Sequence, residues 1–343
     1  MTIAARTGKD LIDASRPFAR EQVGRSWFHV GTTFAALAAA IAVAVRAPWL
    51  PVRIAASLVE ALVFVRAFIL YHDYMHGALL RDSKLAKVLF HVQGVLMLNP
   101  PRVWADTHNF HHANTARLAA PATGTFVLWT VDRWRKATGL QKFAYRAERN
   151  PVTIFFAHVT VFFMGMCAMP FAQNPKRYVS CAIAVVAHVA LGASVWMFGG
   201  PTVFVLTFAV PFFLSCMMGA YMFYAQHNAP GITVREDDDW THAEGAVEGS
   251  TFMKTGPVMQ WFTGNIGFHH VHHLNARIPF YRLPEAMAAV PELQNPIITT
   301  LSPKSILDAL RVDLWDPRRG RMVTFAEAAA EVPAPPTGTL EAA

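Results

Sequence analysis

Five stretches of the chain are apolar almost without interruption: residues 27–45, 49–70, 152–171, 178–198 and 202–223. Each runs for about 19 to 22 residues. A helix of about 20 residues rises roughly 30 Å, the thickness of a bilayer's hydrocarbon core. The pattern therefore predicts membrane-spanning helices. A shorter apolar run, 85–98, cannot cross, and Pro100-Pro101 closes it. It reads as an interfacial or re-entrant helix. Polar residues inside these runs are few. Arg53 lies near one end of its run, where a long side chain can reach polar surroundings, but Glu60 and Arg66 lie deeper. They predict a helix side turned toward the bundle or a polar cavity.

The charges between the runs set the topology. Arg6, Lys9, Arg16, Arg20 and Arg25 precede the first run and hold the N-terminus in the cytoplasm. Runs 27–45 and 49–70 then form a hairpin that returns the chain to the same side at Tyr71. The loop that follows is rich in Arg133, Arg135, Lys136, Lys142, Arg146 and Arg149, as cytoplasmic loops are. Run 152–171 has basic residues on both flanks, with Lys176 and Arg177 after it; it reads as re-entrant or interfacial. Run 178–198 crosses outward, Gly199-Gly200-Pro201 turns, and 202–223 returns. The expected fold is an all-α integral membrane protein. It has about four transmembrane helices, further re-entrant or interfacial helices, and a cytoplasmic His-rich cap. The expected division is a cytoplasmic N-terminal segment (1–26), one membrane domain (27–332) and a disordered tail rich in Pro, Gly and Ala (333–343). Both termini are expected in the cytoplasm.

Composition agrees. Hydrophobic residues make up 53% and charged residues only 15%, against roughly 25% charged in soluble domains. The net charge of +7 is a topology signal and does not call for nucleic acid as a partner. Cys167, Cys181 and Cys216 lie inside apolar runs and imply no disulfide framework. No internal repeat and no Gly-rich phosphate loop is present. High Ala and Arg usage fits a GC-rich bacterium, and hence its cytoplasmic membrane.

The chemistry lies in the histidines. Of 15, nine fall into a pattern suited to a pair of metal ions. His72 and His76 flank Asp73-Tyr74-Met75; His108, His111 and His112 form a second group; His269, His272 and His273 form a third; His227 stands alone at the end of an apolar run. Spacings of three and four place imidazoles on one helix face. Neutral imidazole is a good ligand for iron, copper and zinc. Nine ligands are too many for one metal and give four or five to each of two. His270 is turned away from the ligand face by its position in the box. His29, His91, His158 and His188 read as core or interface histidines, and His242 as a surface or outer residue. A transporter would place its ligands near the bilayer midplane; here the boxes lie outside the spans.

These boxes resemble those of the membrane fatty acid desaturases, whose pattern is His-x(3–4)-His, His-x-x-His-His and a late His-x-x-His-His. His111-His112-Ala113-Asn114-Thr115 is similar to the family's second box. Tyr224-Ala225-Gln226-His227-Asn228 resembles the segment that supplies an extra ligand. Glu248-Gly249-Ser250, the stretch from Gln260 to Phe268, and Asn275-Ala276-Arg277-Ile278-Pro279 look like the acyl-lipid branch that includes the Δ12 or ω6 enzymes. The resemblance implies a di-iron site held by His72, His76, His108, His111, His112, His227, His269, His272 and His273. It also implies O2 as co-substrate, an acyl-lipid or fatty acyl substrate, and insertion of a cis double bond. Two electrons must come from a donor such as ferredoxin or a cytochrome b5-like protein, since no flavin, haem or Fe–S motif is present. Hydroxylation or ketolation of a lipid or carotenoid is the alternative outcome of the same di-iron chemistry. The sequence departs from the pattern in places. The first box reads Asp-Tyr-Met where this branch often has Asp-Cys-Gly, and residues 123–130 lack the usual acidic residue. Phe223 stands where the acyl-CoA branch has an Asn.

Overall fold

The computed structural model describes residues 6–121 and 123–330. The tail expected at 333–343 lies outside them. Among the described residues, three helices are long and apolar enough to cross a membrane: Val23–Arg46, Leu50–Met75 and Val179–His227. The last is bent. Gly200 takes φ 78° and ψ 176°, inside no helical region, and Pro201 follows it. A positive φ costs glycine little, and proline starts the next helical turn without an amide proton. The bend divides the segment into two arms at the predicted Gly199-Gly200-Pro201 turn, so the stem has four crossings. The protein is an integral membrane protein, largely helical.

The second crossing runs without a break from Leu50 to Met75, so His72 sits on its last turns and His76 caps it. Glu60 and Arg66 are both buried, as their depth predicts. Arg66 donates to Thr33 Oγ1 (2.9 Å) on the first crossing and to the Trp261 carbonyl, and lies over the Trp261 ring. It thus ties the stem to the cap. Arg53 donates to the Ala44 carbonyl at 2.6 Å, capping the neighbouring helix end.

The short run forms a helix at Lys84–Leu96 with Ser83 as its N-cap. Leu98 turns with φ 53°, and Pro101 opens the helix Pro101–Ala113. Proline fits the first helical position, where its missing N–H is not needed. The run at 152–171 is interrupted at Phe156 and is continuous from His158 to Gln173. A short helix, Pro151–Phe155, gives way to a π-helical stretch, His158–Ala168, and then to Met169–Gln173.

The cap packs on one end of the stem. A core of buried residues, including Tyr71, Trp104, Met222, Val271, Ile278 and Leu283, joins the two. Residues 6–22 are bound into it. Arg6 pairs with Glu292 at 2.8 Å, Ser15 accepts from Asn275, and Tyr281 Oη accepts from the Gln22 amide. Very short strands staple the cap's edges. Trp129–Thr130 runs parallel to Leu314–Asp316, which pairs antiparallel with Arg321–Val323. Phe252–Met253 pairs with Ile298–Thr299. Strands of two or three residues carry too little alternation to register in the sequence.

Candidate metal centre

Four separate elements deliver the histidines to one place. The second crossing ends in His72, and His76 caps it. The helix Pro101–Ala113 presents His108, His111 and His112, one turn apart on a face. The fourth crossing ends at His227. A six-residue helix, His269–Leu274, presents His269, His272 and His273. The two crossings that bear His72 and His227 therefore end on the same side of the stem. That parity requires the intervening segments to return where they started.

The rings form two groups. His72, His76, His108, His112 and His272 each offer a nitrogen within 4.8 Å of the others; His111, His227 and His273 do the same. Within the first, Nε2 of His108 lies 3.0 Å from that of His72 and 3.1 Å from that of His112, which lies 3.2 Å from that of His272. In the second, Nε2 of His227 lies 3.1 Å from that of His111. His269 joins it from the side, its Nε2 2.8 Å from His227 and 3.1 Å from His273. The groups adjoin: the rings of His112 and His273 stack at 4.1 Å. All nine histidines singled out in the sequence thus converge. Both groups, among the described residues, consist of histidine alone.

The outer nitrogens show which atoms face inward. His72 Nδ1 lies 3.2 Å from the Asp73 carboxylate, and His227 Nδ1 lies 3.3 Å from the Gly249 carbonyl. Those oxygens take the rings' protons, so the Nε2 atoms carry lone pairs into the group. Asp73 in turn accepts from the Phe280 amide at 2.7 Å, which fixes its position. Nε2 of His76 is buried without a hydrogen-bond partner. Several lone pairs aimed at one small volume repel one another unless a cation lies between them. The donor set is neutral imidazole, which suits iron, copper or zinc. The residues fit a pair of metal ions.

Electrostatics reinforce the neutral form. His76, His108, His111, His112, His269, His272 and His273 are held well below the usual imidazole value of 6.5, by burial first and then by one another's charge. A neutral ring is the ligand form. Aromatic side chains close the site. Trp104 packs on His108 and His76, with ring centres 4.4 and 4.9 Å apart. Phe223 packs on His111 and His227 at 5.0 and 5.3 Å.

The other histidines stay out. His270 points to the Leu293 carbonyl at 3.0 Å. His29 meets Arg66, and His158 meets His188. Sequence reasoning did not single out Asp73, Thr115 or Gly249 as the groups that hold the outer ring nitrogens. Asp73 lay beside the first box, but its contact with His72 depends on a rotamer that spacing does not report. Among the aromatics, Trp240 donates to the Thr115 carbonyl at 2.9 Å and so braces the second box.

Comparison with known proteins agrees with the geometry. A family model described as fatty acid desaturase matches residues 47–298. A Bacillus subtilis protein named fatty acid desaturase is 33% identical over 273 residues, covering 79% of this chain and 77% of its own. The sn-1 oleoyl-lipid 12-desaturase of Synechocystis sp. is 23% identical over 286 residues, covering 81% of this chain and 79% of its own. The sn-1 acyl-lipid omega-3 desaturase (ferredoxin) of the same organism is 24% identical over 257 residues, covering 68% and 66%.

Proposed function

Because the chain belongs to the fatty acid desaturase family, we propose that its two histidine groups hold a pair of iron ions and that it desaturates acyl lipids. It is a membrane enzyme and an oxidoreductase. His72, His76, His108, His112 and His272 would bind one iron; His111, His227, His269 and His273 would bind the other. When bound, the reduced iron pair supplies O2 activation for removing two hydrogens from neighbouring methylenes, with two external electrons and water as the other product. The chain's own part is to hold the rings, keep them neutral and exclude water. Asp73 and the Gly249 carbonyl fix the tautomers of His72 and His227. Trp104 and Phe223 wall the site with apolar surface. The position of the new bond follows from how the acyl chain is held beside the metals.

The relatives' names support an acyl-lipid substrate. The stretch from Gln260 to Phe268 and the segment after the last box favour the Δ12 or ω6 branch. One relative's name carries ferredoxin, which supports an iron–sulfur protein as electron donor. Arg133, Arg135, Lys136 and Arg146 are exposed on the cap, a surface suited to an acidic protein. The same charges support a cytoplasmic cap. The basic flanks of 152–171, together with its interruption at Phe156, support a re-entrant segment. Reporter fusions after Phe171 and after Gly200 test this: a periplasmic signal at the first site would overturn it.

The carrying observation is the convergence of nine ring nitrogens in two adjoining groups. The test is lipid analysis of a bacterial host expressing the chain with a ferredoxin and its reductase, beside the His111→Ala variant. A double bond located by mass spectrometry, present only with the native sequence, is the expected result. A new hydroxyl or keto group instead would assign the chain to the hydroxylase or ketolase alternative. Turnover undiminished in His111→Ala would overturn the metal assignment.

A further inference from the structure

A second feature lies in the stem. It is a cavity of about 310 Å³ between the crossings. Phe34, Glu60, Phe64, Gln93, Leu191 and Phe208 line it, drawn from all four crossings and from the helix Lys84–Leu96 or its neighbours. The volume falls within the range of small-molecule pockets, roughly 300–1,000 Å³. Glu60 precedes His72 by 72 − 60 = 12 residues on one continuous helix, a rise of roughly 18 Å. Ala67, at the cavity's other end, is only five residues before His72, so Glu60 marks the end of the cavity farther from the metal centre.

Its walls are apolar except for three side chains, and one of those is already committed. Thr207 donates its hydroxyl to the Val203 carbonyl. Gln93 donates its amide to the Ala67 carbonyl at 2.6 Å, which leaves Oε1 buried and unpartnered. Glu60 is fully buried, and neither carboxyl oxygen has a hydrogen-bond partner. An unmade hydrogen bond on a buried polar group costs about 1–3 kcal/mol, and more on a charged one. A purely hydrocarbon occupant would leave that cost standing.

We infer that this cavity binds an apolar molecule carrying a hydroxyl group, which Glu60 receives. A hydroxyl both donates and accepts, so it satisfies a carboxyl in either protonation state. Gln93 Oε1, on the helix Lys84–Leu96, is a second unpartnered acceptor in the lining. A cationic head group is disfavoured, because the apolar walls would strip water from a second charge and offer it only one partner. Phe34, Phe64 and Phe208 suit the apolar body of the ligand. The class is a hydroxylated lipid or long-chain alcohol, bound from within the membrane with its hydroxyl at the end of the cavity farther from the metal centre.

Native mass spectrometry of the purified full chain in detergent tests this with three probes of equal length: 1-decanol, 1-chlorodecane and decylamine. The expected result is a one-to-one 1-decanol adduct populated at least tenfold more than the chlorodecane adduct. Glu60→Gln keeps that preference, since an amide can also pair with a hydroxyl; Glu60→Leu loses it. Leu191→Trp places an indole in the cavity wall and weakens all three adducts. Equal binding of 1-decanol and 1-chlorodecane would show a plain apolar slot and overturn the inference. So would an undiminished preference in Glu60→Leu, adducts undiminished in Leu191→Trp, or decylamine binding best. The probe comparison on the native chain decides alone if Glu60→Leu does not fold.

Discussion

The hydroxyl of Thr115 sits 2.9 Å from Nδ1 of His273 while its own proton goes to the His111 carbonyl at 2.8 Å. With its proton committed, Oγ1 has only lone pairs to offer His273. His273 must therefore carry its proton on Nδ1 and turn a bare Nε2 toward the metal group. One side chain links the second box to the third and sets a tautomer. Partners of this kind fix the tautomer and orientation of a metal-ligating ring.

Thr115→Val removes the acceptor at constant shape. Metal affinity or turnover is expected to fall about 10- to 100-fold, the usual cost of losing an outer partner of a ligating histidine. Thr115→Ser should stay near native. Metal content after dialysis against graded chelator reads this out. Equal retention by Val and native chains would show that Thr115 does not orient His273.

His270 and His272 lie two residues apart and should behave differently. His272→Ala removes a ring from the first group, and bound metal should be lost. His270→Ala leaves the Leu293 carbonyl without its 3.0 Å partner and should cost about 1–3 kcal/mol of stability with metal content unchanged. Metal analysis alongside thermal unfolding separates the two. Loss of metal in His270→Ala would place that ring among the ligands.

Arg149 is buried at the foot of the fourth crossing. It donates to the Val127 carbonyl (2.8 Å), to Tyr224 Oη (3.2 Å), to the Val312 carbonyl (3.3 Å) and to Asn228 Oδ1. Tyr224 and Asn228 flank the His227 turn. Arg149→Ala leaves Asn228 Oδ1 and the Val127 carbonyl without their donor, while the Val312 carbonyl keeps the Asn228 amide; it should destabilise by about 1–3 kcal/mol, with the second histidine group the first to loosen. Protease resistance of the detergent-purified protein measures it. Native-like resistance would show that the buried network contributes little.

Acid should destabilise the metal-free protein. Burial holds His270 down to about 4 from the usual 6.5, and six metal-group rings of the second and third boxes also lie well below 6.5. Unfolded, these rings take up protons below about 6.5; folded, they do not until the pH is much lower. The unfolded state thus binds more protons in that window, and stability falls as pH drops from about 6.5 toward 4. Thermal unfolding of the chelator-treated protein at pH 7.5 and pH 5 should give a lower midpoint at pH 5. Equal midpoints would show that the folded rings protonate freely.

Much of this protein was legible along the chain because its strongest signals are local. A run of about 20 apolar residues is long enough to cross a bilayer wherever it folds. Glycine and proline at 199–201 mark a turn through their own backbone preferences. Histidines spaced by three and four share a helix face before any tertiary contact forms. These facts were enough for the membrane stem, its bend and the eight histidines of the three boxes; His227, alone at the end of its run, came with the family resemblance. Tertiary structure alone decided the rest. How the rings divide between two groups depends on contacts 36 to 160 residues apart in the chain. The choice of Thr115, Asp73 and Gly249 as outer partners depends on rotamers and backbone direction, which no spacing encodes. Glu60 was visible as a misplaced charge, but only the packing of four crossings around it made a cavity with an unanswered carboxyl.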